Sequence, residues 1–172
     1  MVDHIAEKVI MITGAAGGFG RLVAEKTVAR GARVVAVDVD EAGLETLREG
    51  APERSGRVMA VVADVRDRTH MATAATRAVD EFGRIDVLVN NAGVMPLAFF
   101  SDHAEAAEAW ERCIDINFKG VVNGIAAVHD SMTRQGRGHI VNLSSIYGNY
   151  PVAGAAIYGA TKAAVNVLSE SL

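Results

Sequence analysis

The chain has 172 residues, of which 50% are hydrophobic and 22% charged, and this composition is typical of a folded domain and excludes a disordered protein. Its net charge of −4 disfavours a partner with a phosphate backbone, so we expect it to bind no nucleic acid. A single cysteine, Cys113, excludes an internal disulfide, and the five histidines lack metal-ligand spacing, so we predict no metal site.

Residues 1–8 contain no basic region followed by a long apolar stretch, so we predict no secretory signal. The longest apolar runs fall far short of the ~20 residues that cross a bilayer. We therefore expect a cytoplasmic protein without a membrane partner.

Short β-branched runs alternate with longer helical stretches along the chain. The predicted strands are 8–13, 33–38, 57–63, 85–90 and 139–144. The predicted helices are 21–30, 41–48, 67–82, 104–134 and 156–172. Because the strands are apolar on both faces and helices separate them, we predict an α/β fold. Its doubly wound, Rossmann-type parallel sheet has the strand order 3-2-1-4-5 and helices on both faces. No repeat or linker marks a second domain, so we predict one domain over 1–172.

A glycine-rich turn, Thr-Gly-Ala-Ala-Gly-Gly-Phe-Gly at 13–20, follows the first predicted strand. Glycines let the backbone approach a pyrophosphate, and the next helix offers unpaired N–H groups and the positive end of its dipole. A glycine cluster alone is equally compatible with a flexible turn, but its position between strand and helix favours a dinucleotide-binding turn. The predicted cofactor contacts here are Gly14, Ala16, Gly18, Phe19 and Gly20.

The second predicted strand ends at Asp38. A carboxylate at this point can accept hydrogen bonds from both hydroxyls of the adenosine ribose and would repel a 2′-phosphate. No basic residue at Val39 or within 15–17 could receive that phosphate. The sequence therefore favours NAD over NADP as cofactor, and the alternative is that Asp38 serves only as a turn or capping residue.

Two further segments follow strand ends and are predicted to contact the cofactor. Asp64 is placed to hydrogen-bond the adenine edge, with Val65 packing beside it. The Asn-Asn-Ala-Gly sequence at 90–93 has amides that can tie neighbouring strands together and a glycine that lets the cofactor pass. The predicted contacts in this second segment are Asn91, Ala92 and Gly93. In both segments the alternative is an Asx-type turn.

Tyr158 and Lys162 are four residues apart and so lie on one face of a helix. A phenol is a poor base near neutral pH, but a cation about 4 Å away favours the phenolate by roughly 4 kcal/mol at an effective dielectric constant of about 20. Alone, such a pair is most simply a solvated surface pair. Its combination with the other motifs favours a catalytic role.

This combination resembles the short-chain dehydrogenase/reductase family over about 8–172. The matching motifs, in the order of that family, are 13–20, Asp64, 90–93, Asn117, Ser144–Ser145 and the Tyr158-x-x-x-Lys162 pair. The resemblance implies an NAD(P)-dependent oxidoreductase that interconverts a secondary alcohol and a ketone or related carbonyl by direct hydride transfer. Its partners would be a small-molecule substrate and further copies of itself, in a dimer or tetramer.

The resemblance also assigns four catalytic residues. Tyr158 would be the general acid/base that exchanges a proton with the substrate oxygen. Lys162 would favour its phenolate and hold the nicotinamide ribose hydroxyls. Ser145, rather than Ser144, would hydrogen-bond the substrate oxygen. Asn117 would hold a water molecule that links Lys162 to bulk solvent.

The chain is shorter than the roughly 250 residues usual in that family, a length near the upper end for one domain. In the predicted strand order, 139–144 would also be a long apolar edge strand without protection. We therefore expect the sequence to be part of a longer enzyme whose last strands are required for activity. The alternative function is a non-catalytic nucleotide-binding or scaffolding protein that retains the glycine-rich turn but has lost the segment that closes over the substrate.

The substrate class follows least directly from the sequence. The segments 94–100 and 146–152 follow the fourth and fifth predicted strands and are expected to line the substrate side. Their apolar and aromatic residues favour a substrate with hydrophobic bulk, and ordinary packing between loops is the alternative.

Overall fold

The computed structural model describes residues 3–51 and 56–172. Within these ranges, five parallel strands form one sheet in the order β3-β2-β1-β4-β5, which confirms the predicted order. The strands are β1 (Val9–Thr13), β2 (Arg33–Asp38), β3 (Arg57–Val62), β4 (Val87–Asn90) and β5 (His139–Asn142). The domain predicted over 1–172 also includes residues 1–2 and 52–55, which lie outside the described ranges.

Six α-helices surround the described part of the sheet. They are α1 (Gly18–Ala29), α2 (Glu41–Glu49), α3 (Arg68–Phe82), α4 (His103–Ile114), α5 (Gly120–Gln135) and α6 (Ala156–Glu170). A π-helical turn, Asp115–Lys119, joins α4 to α5, and short 3₁₀ turns occupy Phe100–Asp102 and Ile146–Gly148. No helix in the described ranges is long and apolar enough to span a bilayer.

The core has two layers because the strands are apolar on both faces. All five residues of β1 are buried, and alternate side chains point to opposite faces. Ile10 and Ile12 pack with α1 and α2, in the cluster that includes Val28 and Leu44. Residues on the other face, such as Met11, pack with the buried sides of α3 and α5. The predicted doubly wound fold is thereby confirmed, and it places every strand's carboxyl end at one edge of the sheet.

The long helical region predicted over 104–134 is observed from His103 to Gln135, with one departure from α-helical geometry. The helical path from His103 to Gln135 contains the π turn Asp115–Lys119, whose wider hydrogen-bonding pattern inserts an extra residue into the helix. The predicted start of the third helix differs by one residue, because Asp67 caps it: its carboxylate accepts hydrogen bonds from the N–H groups of Thr69 and His70 at 2.7 and 3.1 Å.

Candidate active site

A cleft of about 590 Å³ opens at the carboxyl ends of the strands. Most of the residues predicted to bind the cofactor line it, together with two predicted catalytic residues. These are Gly14, Gly18, Phe19, Asp38, Asp64, Val65, Asn91, Ala92, Gly93, Tyr158 and Lys162. The other predicted site residues, Ala16, Gly20, Asn117 and Ser145, are not part of this lining. The fold therefore brings the glycine-rich turn, near the start of the chain, and the Tyr158–Lys162 pair, near its end, to one cavity.

The glycine-rich turn is shaped by contacts within the chain as well as by space for a ligand. Gly14 has a φ of +66°, and a Cβ there would lie 2.9 Å from the Cα of Ala92. A Cβ on Gly20 would lie 2.1 Å from the carbonyl oxygen of Gly14. By contrast, a Cβ on Gly17 or Gly18 would meet no atom within 4 Å, and both glycines line the cleft. The start of α1 thus faces open space, which fits the pyrophosphate of a dinucleotide.

Asp38 is held by the backbone around it. Its Oδ2 accepts a hydrogen bond from the N–H of Ala16 at 2.9 Å. Its Oδ1 accepts from the N–H groups of Val39 and Asp40 at 2.7 and 3.1 Å. Asp38 therefore does serve as a turn residue. Ala16 is buried, and its contribution to the site is the hydrogen bond that it donates to Asp38. Because a carboxylate has about four acceptor positions, the three N–H donors leave capacity for a ribose hydroxyl.

Arg66 is a residue of the cleft that the sequence analysis missed. Its guanidinium binds the Asp64 carboxylate through both Nε and Nη2, with an Nη2–Oδ2 distance of 2.6 Å. This hydrogen bond lowers the pKa of Asp64 and keeps its carboxylate charged. Val65 between them is buried, and a Cβ on Gly120 would lie 2.8 Å from its Cγ2. In the sequence, the position of this arginine two residues after Asp64 was the feature from which their ion pair could have been predicted.

The 90–93 segment ties three strands together. The Nδ2 of Asn91 donates to the carbonyl oxygens of Thr13 and Gly14 at 2.9 and 3.1 Å. The Nδ2 of Asn90 donates to Oδ1 of Asn142 at 2.8 Å, which joins β4 to β5. These amides hold the glycine-rich turn against the end of β4.

Lys162 is buried at 5% exposure, and its Nζ donates a hydrogen bond to the carbonyl oxygen of Leu143 at 2.7 Å. Burial lowers the pKa of Lys162, because the charged ammonium loses solvation there. The Nζ lies 5.8 Å from the ring centroid of Tyr158, whose ring also meets that of Tyr147 edge-on at 6.1 Å. The predicted phenol and ammonium are therefore neighbours in one cleft.

Asn117 lies in the π turn and is fully buried. Its Oδ1 accepts from the N–H of Val94, and its Nδ2 donates to the carbonyl oxygen of Val94, both at 2.8 Å. A Cβ on Gly93 would lie 3.3 Å from Oδ1 of Asn117 and 3.7 Å from Nζ of Lys162. Asn117 and Lys162 therefore approach each other at Gly93.

The two neighbouring serines have different hydrogen-bonding roles. Ser144 lines the cleft, and its Oγ donates to the carbonyl oxygen of Lys162 at 3.0 Å. Ser145 caps the 3₁₀ turn Ile146–Gly148, where its Oγ accepts from the N–H of Tyr147 at 3.2 Å. The hydroxyl hydrogen of Ser144 is thus engaged, whereas Ser145 acts as an acceptor.

Comparison with known proteins gives relatives over nearly the whole chain. An uncharacterised oxidoreductase of Staphylococcus epidermidis is 35% identical over 168 residues, which are 98% of this chain and 71% of that protein. An uncharacterised oxidoreductase of Listeria monocytogenes is 39% identical and is covered to 67% of its length. A protein of Salmonella typhi named NADP-dependent 3-hydroxy acid dehydrogenase is 37% identical, with 95% of this chain and 64% of that protein covered.

Solved structures show the same similarity. A short-chain dehydrogenase/reductase of Burkholderia phymatum in complex with NAD is 33% identical, with a TM-score of 0.92 over 99% of this chain. This chain spans 60% of the length of that protein. An NAD⁺-bound xylitol dehydrogenase is 29% identical, with a TM-score of 0.92 over 98% of this chain and 65% of its own. The sequence pattern of the family described as short chain dehydrogenase matches residues 8–172. The chain therefore belongs to the short-chain dehydrogenase family of oxidoreductases.

Proposed function

We propose that this chain carries the cofactor and acid/base sites of an NAD-dependent enzyme that interconverts a secondary alcohol and a ketone or related carbonyl. The observation that carries the proposal is the cleft itself. Its walls combine the glycine-rich turn at one part with the neighbouring Tyr158 and Lys162 at another. A non-catalytic scaffold would need the first feature and has no use for the second.

The preference for NAD over NADP rests on Asp38. Its carboxylate lines the cleft and would face the adenosine ribose, where its charge would repel a 2′-phosphate. The neighbouring Val39 also lines the cleft and offers no cation. The NAD complex of the Burkholderia phymatum relative supports this preference. The Salmonella typhi relative is named NADP-dependent, so the preference for NAD over NADP needs a direct test.

Nicotinamide, when bound, would supply the acceptor or donor of the hydride. Tyr158 would exchange a proton with the substrate oxygen, and the ammonium of Lys162 lies beside its ring, 5.8 Å from the centroid. An ammonium has three N–H donors, of which one binds the carbonyl oxygen of Leu143. Of the other two, one is available to the ribose hydroxyls and one to a water molecule.

Asn117 would support proton exchange from behind the cleft. Its Oδ1 accepts one hydrogen bond, from Val94, and a carbonyl oxygen can accept a second. A water molecule bound there would lie beside Gly93, where Asn117 and Lys162 approach each other. It could relay protons between Lys162 and solvent.

Ser145 is our candidate for the hydrogen bond to the substrate oxygen. Its Oγ accepts from Tyr147, which leaves its own hydrogen free to be donated. The Oγ of Ser144 already donates its hydrogen to the carbonyl oxygen of Lys162. The hydrogen-bonding pattern thus favours Ser145, although Ser144 is the serine of the cleft lining.

We propose a substrate with hydrophobic bulk. The segments 94–100 and 146–152 contain no charged residue, and their exposed side chains include Leu97, Phe99 and Ile146 at 60–65% exposure. The N–H of Ala98 donates to the carbonyl oxygen of Gly154 at 2.9 Å, so the two loops stand side by side. These exposed apolar side chains are available to a substrate.

We also propose that the enzyme is a cytoplasmic homo-oligomer. Ile114 at the end of α4 and Val122 in α5 are 39% and 40% exposed, and both are apolar. Apolar side chains exposed on neighbouring helices are suited to a contact between subunits.

Replacing Tyr158 with phenylalanine tests the proposed function. The substitution removes one hydroxyl, so we expect turnover to fall by about a hundredfold or more while the Kd for NADH, measured by calorimetry, stays within about threefold. Turnover is followed as NADH oxidation with a panel of neutral ketones, in the longer enzyme of which we expect this chain to be part. Equal turnover by the Y158F and unaltered forms of that longer enzyme would overturn the assignment of Tyr158, and NADH binding by it without any turnover would favour the scaffold.

A further inference from the structure

Thr161 lies between Tyr158 and Lys162 on α6, outside the cleft lining and only 4% exposed. Its hydroxyl makes two hydrogen bonds in different directions. It donates to the carbonyl oxygen of Tyr158 at 2.7 Å, within the same helix. It accepts from Nδ2 of Asn117 at 3.3 Å, across to the π turn. One side chain thus links the helix that carries the acid/base pair to the turn that carries Asn117.

The hydrogen-bonded path continues from Asn117 to the part of the cleft wall that contains Val94. The side chain of Asn117 is bound through both of its polar atoms to the backbone of Val94. Val94 and Tyr158 both line the cleft. A buried path of hydrogen bonds therefore runs from Tyr158 through Thr161 and Asn117 to Val94, behind the space where a nicotinamide and a substrate would meet.

The Thr161 hydroxyl is needed to satisfy the two amide N–H donors of Asn117. One N–H of Nδ2 binds the carbonyl oxygen of Val94 at 2.8 Å. The other is within 3.3 Å of two acceptors, Oγ1 of Thr161 and Sγ of Cys113. Oxygen is the stronger acceptor, and a thiol sulfur is a weak one. Without the Thr161 hydroxyl, a fully buried N–H group would have only the sulfur.

We propose that Thr161 is a positioning residue for the acid/base pair: it fixes the Tyr158–Lys162 turn relative to the Val94 wall by holding Asn117. The inference rests on the proposed function and adds to it a residue that does not touch the reacting atoms. Misplacement of a reacting group by about 1 Å can cost a hundredfold in rate, so a network that fixes this turn should act on kcat. Binding of the adenosine half at Asp38 and the glycine-rich turn should change little.

Three variants separate positioning from general stability. Thr161→Val keeps the shape and removes both hydrogen bonds, whereas Thr161→Ser keeps the hydroxyl. Thr27→Val is the matched control, because the hydroxyl of Thr27 also donates to its own helix, at 2.7 Å to the carbonyl oxygen of Val23, but lies on α1. If T161V does not fold, Thr161→Ala removes the hydroxyl without the branched side chain.

Each variant is tested for folding by circular dichroism, for NADH affinity by calorimetry and for NADH oxidation with neutral ketones. We expect T161V to lower kcat by about tenfold to a hundredfold and to change the NADH Kd by less than about threefold. T161S should recover kcat to within about threefold of the unaltered chain, and T27V should match it. Carbon-13 resonances of the Tyr158 ring give a second readout without turnover: they should shift in T161V and stay in place in T161S.

The outcomes are distinguishable from failure of the proposed function. Absence of turnover in the longer enzyme that contains this chain would overturn the proposed function, and unchanged Tyr158 resonances in T161V would overturn the role of Thr161 separately. With turnover present, equal kcat in T161V and the unaltered chain, or equal loss in T161S and T161V, would also overturn it. A loss of kcat with recovery in T161S supports it.

Discussion

Gly20→Ala is expected to destabilise the fold even though it places a better helix former inside α1. A Cβ at this position would lie 2.1 Å from the carbonyl oxygen of Gly14 and 2.5 Å from Nδ2 of Asn91. Ordinary van der Waals contacts of carbon are roughly 3.5–4.0 Å. The first neighbour is backbone, so the glycine-rich turn and the first turn of α1 would have to separate.

The magnitude follows from two opposing effects. Overpacking of this kind costs about 1–3 kcal/mol, and the short distance to a carbonyl oxygen places Gly20 at the upper end. Alanine in a helix interior is favoured over glycine by about 1 kcal/mol. We therefore expect a net loss of about 2 kcal/mol from the free energy of unfolding, a large share of the roughly 5–15 kcal/mol of a typical domain.

Urea unfolding followed by circular dichroism measures this difference. Gly17→Ala is the matched control, because Gly17 caps the same helix with an extended backbone and a Cβ there would meet no atom within 4 Å. Since alanine is a poorer N-cap than glycine, we expect G17A to lose about 0.5–1 kcal/mol, clearly less than G20A. If G20A proved as stable as the unaltered chain or more so, the close approach of Gly20 to Gly14 would be refuted.

Three further outcomes are expected. Asp38→Asn should narrow the preference for NADH over NADPH by about tenfold in calorimetric Kd values, because it removes the charge that repels a 2′-phosphate; an unchanged ratio would contradict this. Arg66→Ala should raise the pKa of Asp64 towards its ordinary value of 3.8, observed by NMR titration of the carboxyl carbon. Since that pKa is lowered in the folded state, the stabilisation from Arg66 should be present above pH 3.8 and fade as the pH falls through the folded pKa; a pH-independent difference in unfolding free energy would contradict it. Ketones with an apolar side chain should be reduced with a higher kcat/KM than polar ketones of matched size, given the exposed apolar side chains of 94–100 and 146–152, and a preference for the polar ketones would refute the proposed substrate class.

The sequence was sufficient for the sheet because hydrophobic periodicity and the turn residues act locally. The second strand was predicted with its observed bounds, Arg33–Asp38, and the strand order was predicted correctly. The π turn Asp115–Lys119 was not predictable in this way. Its residues fit an α-helical pattern, and the deviation coincides with the bonds that hold Asn117 to Val94, which are distant in sequence.

The sequence predicted that most of the candidate residues meet at one edge of the sheet, but not how they are hydrogen-bonded. The positions of Tyr158 and Lys162 in one cleft followed from their spacing on a helix. The contact of Arg66 with Asp64 and the bridging role of Thr161 depend on side-chain conformations that no spacing rule specifies. The different roles of the two neighbouring serines likewise follow only from the groups that each hydroxyl contacts, which the sequence does not show.

Calorimetric titration of the 172-residue chain with NADH and, separately, with NADPH tests the central claim most directly. The account predicts one NADH site per chain and binding of NADPH that is weaker by at least about tenfold, because the Asp38 carboxylate lines the cleft. Tighter binding of NADPH would contradict the role of Asp38. Failure to bind either dinucleotide would contradict the assignment of the cleft as a nicotinamide cofactor site in this chain.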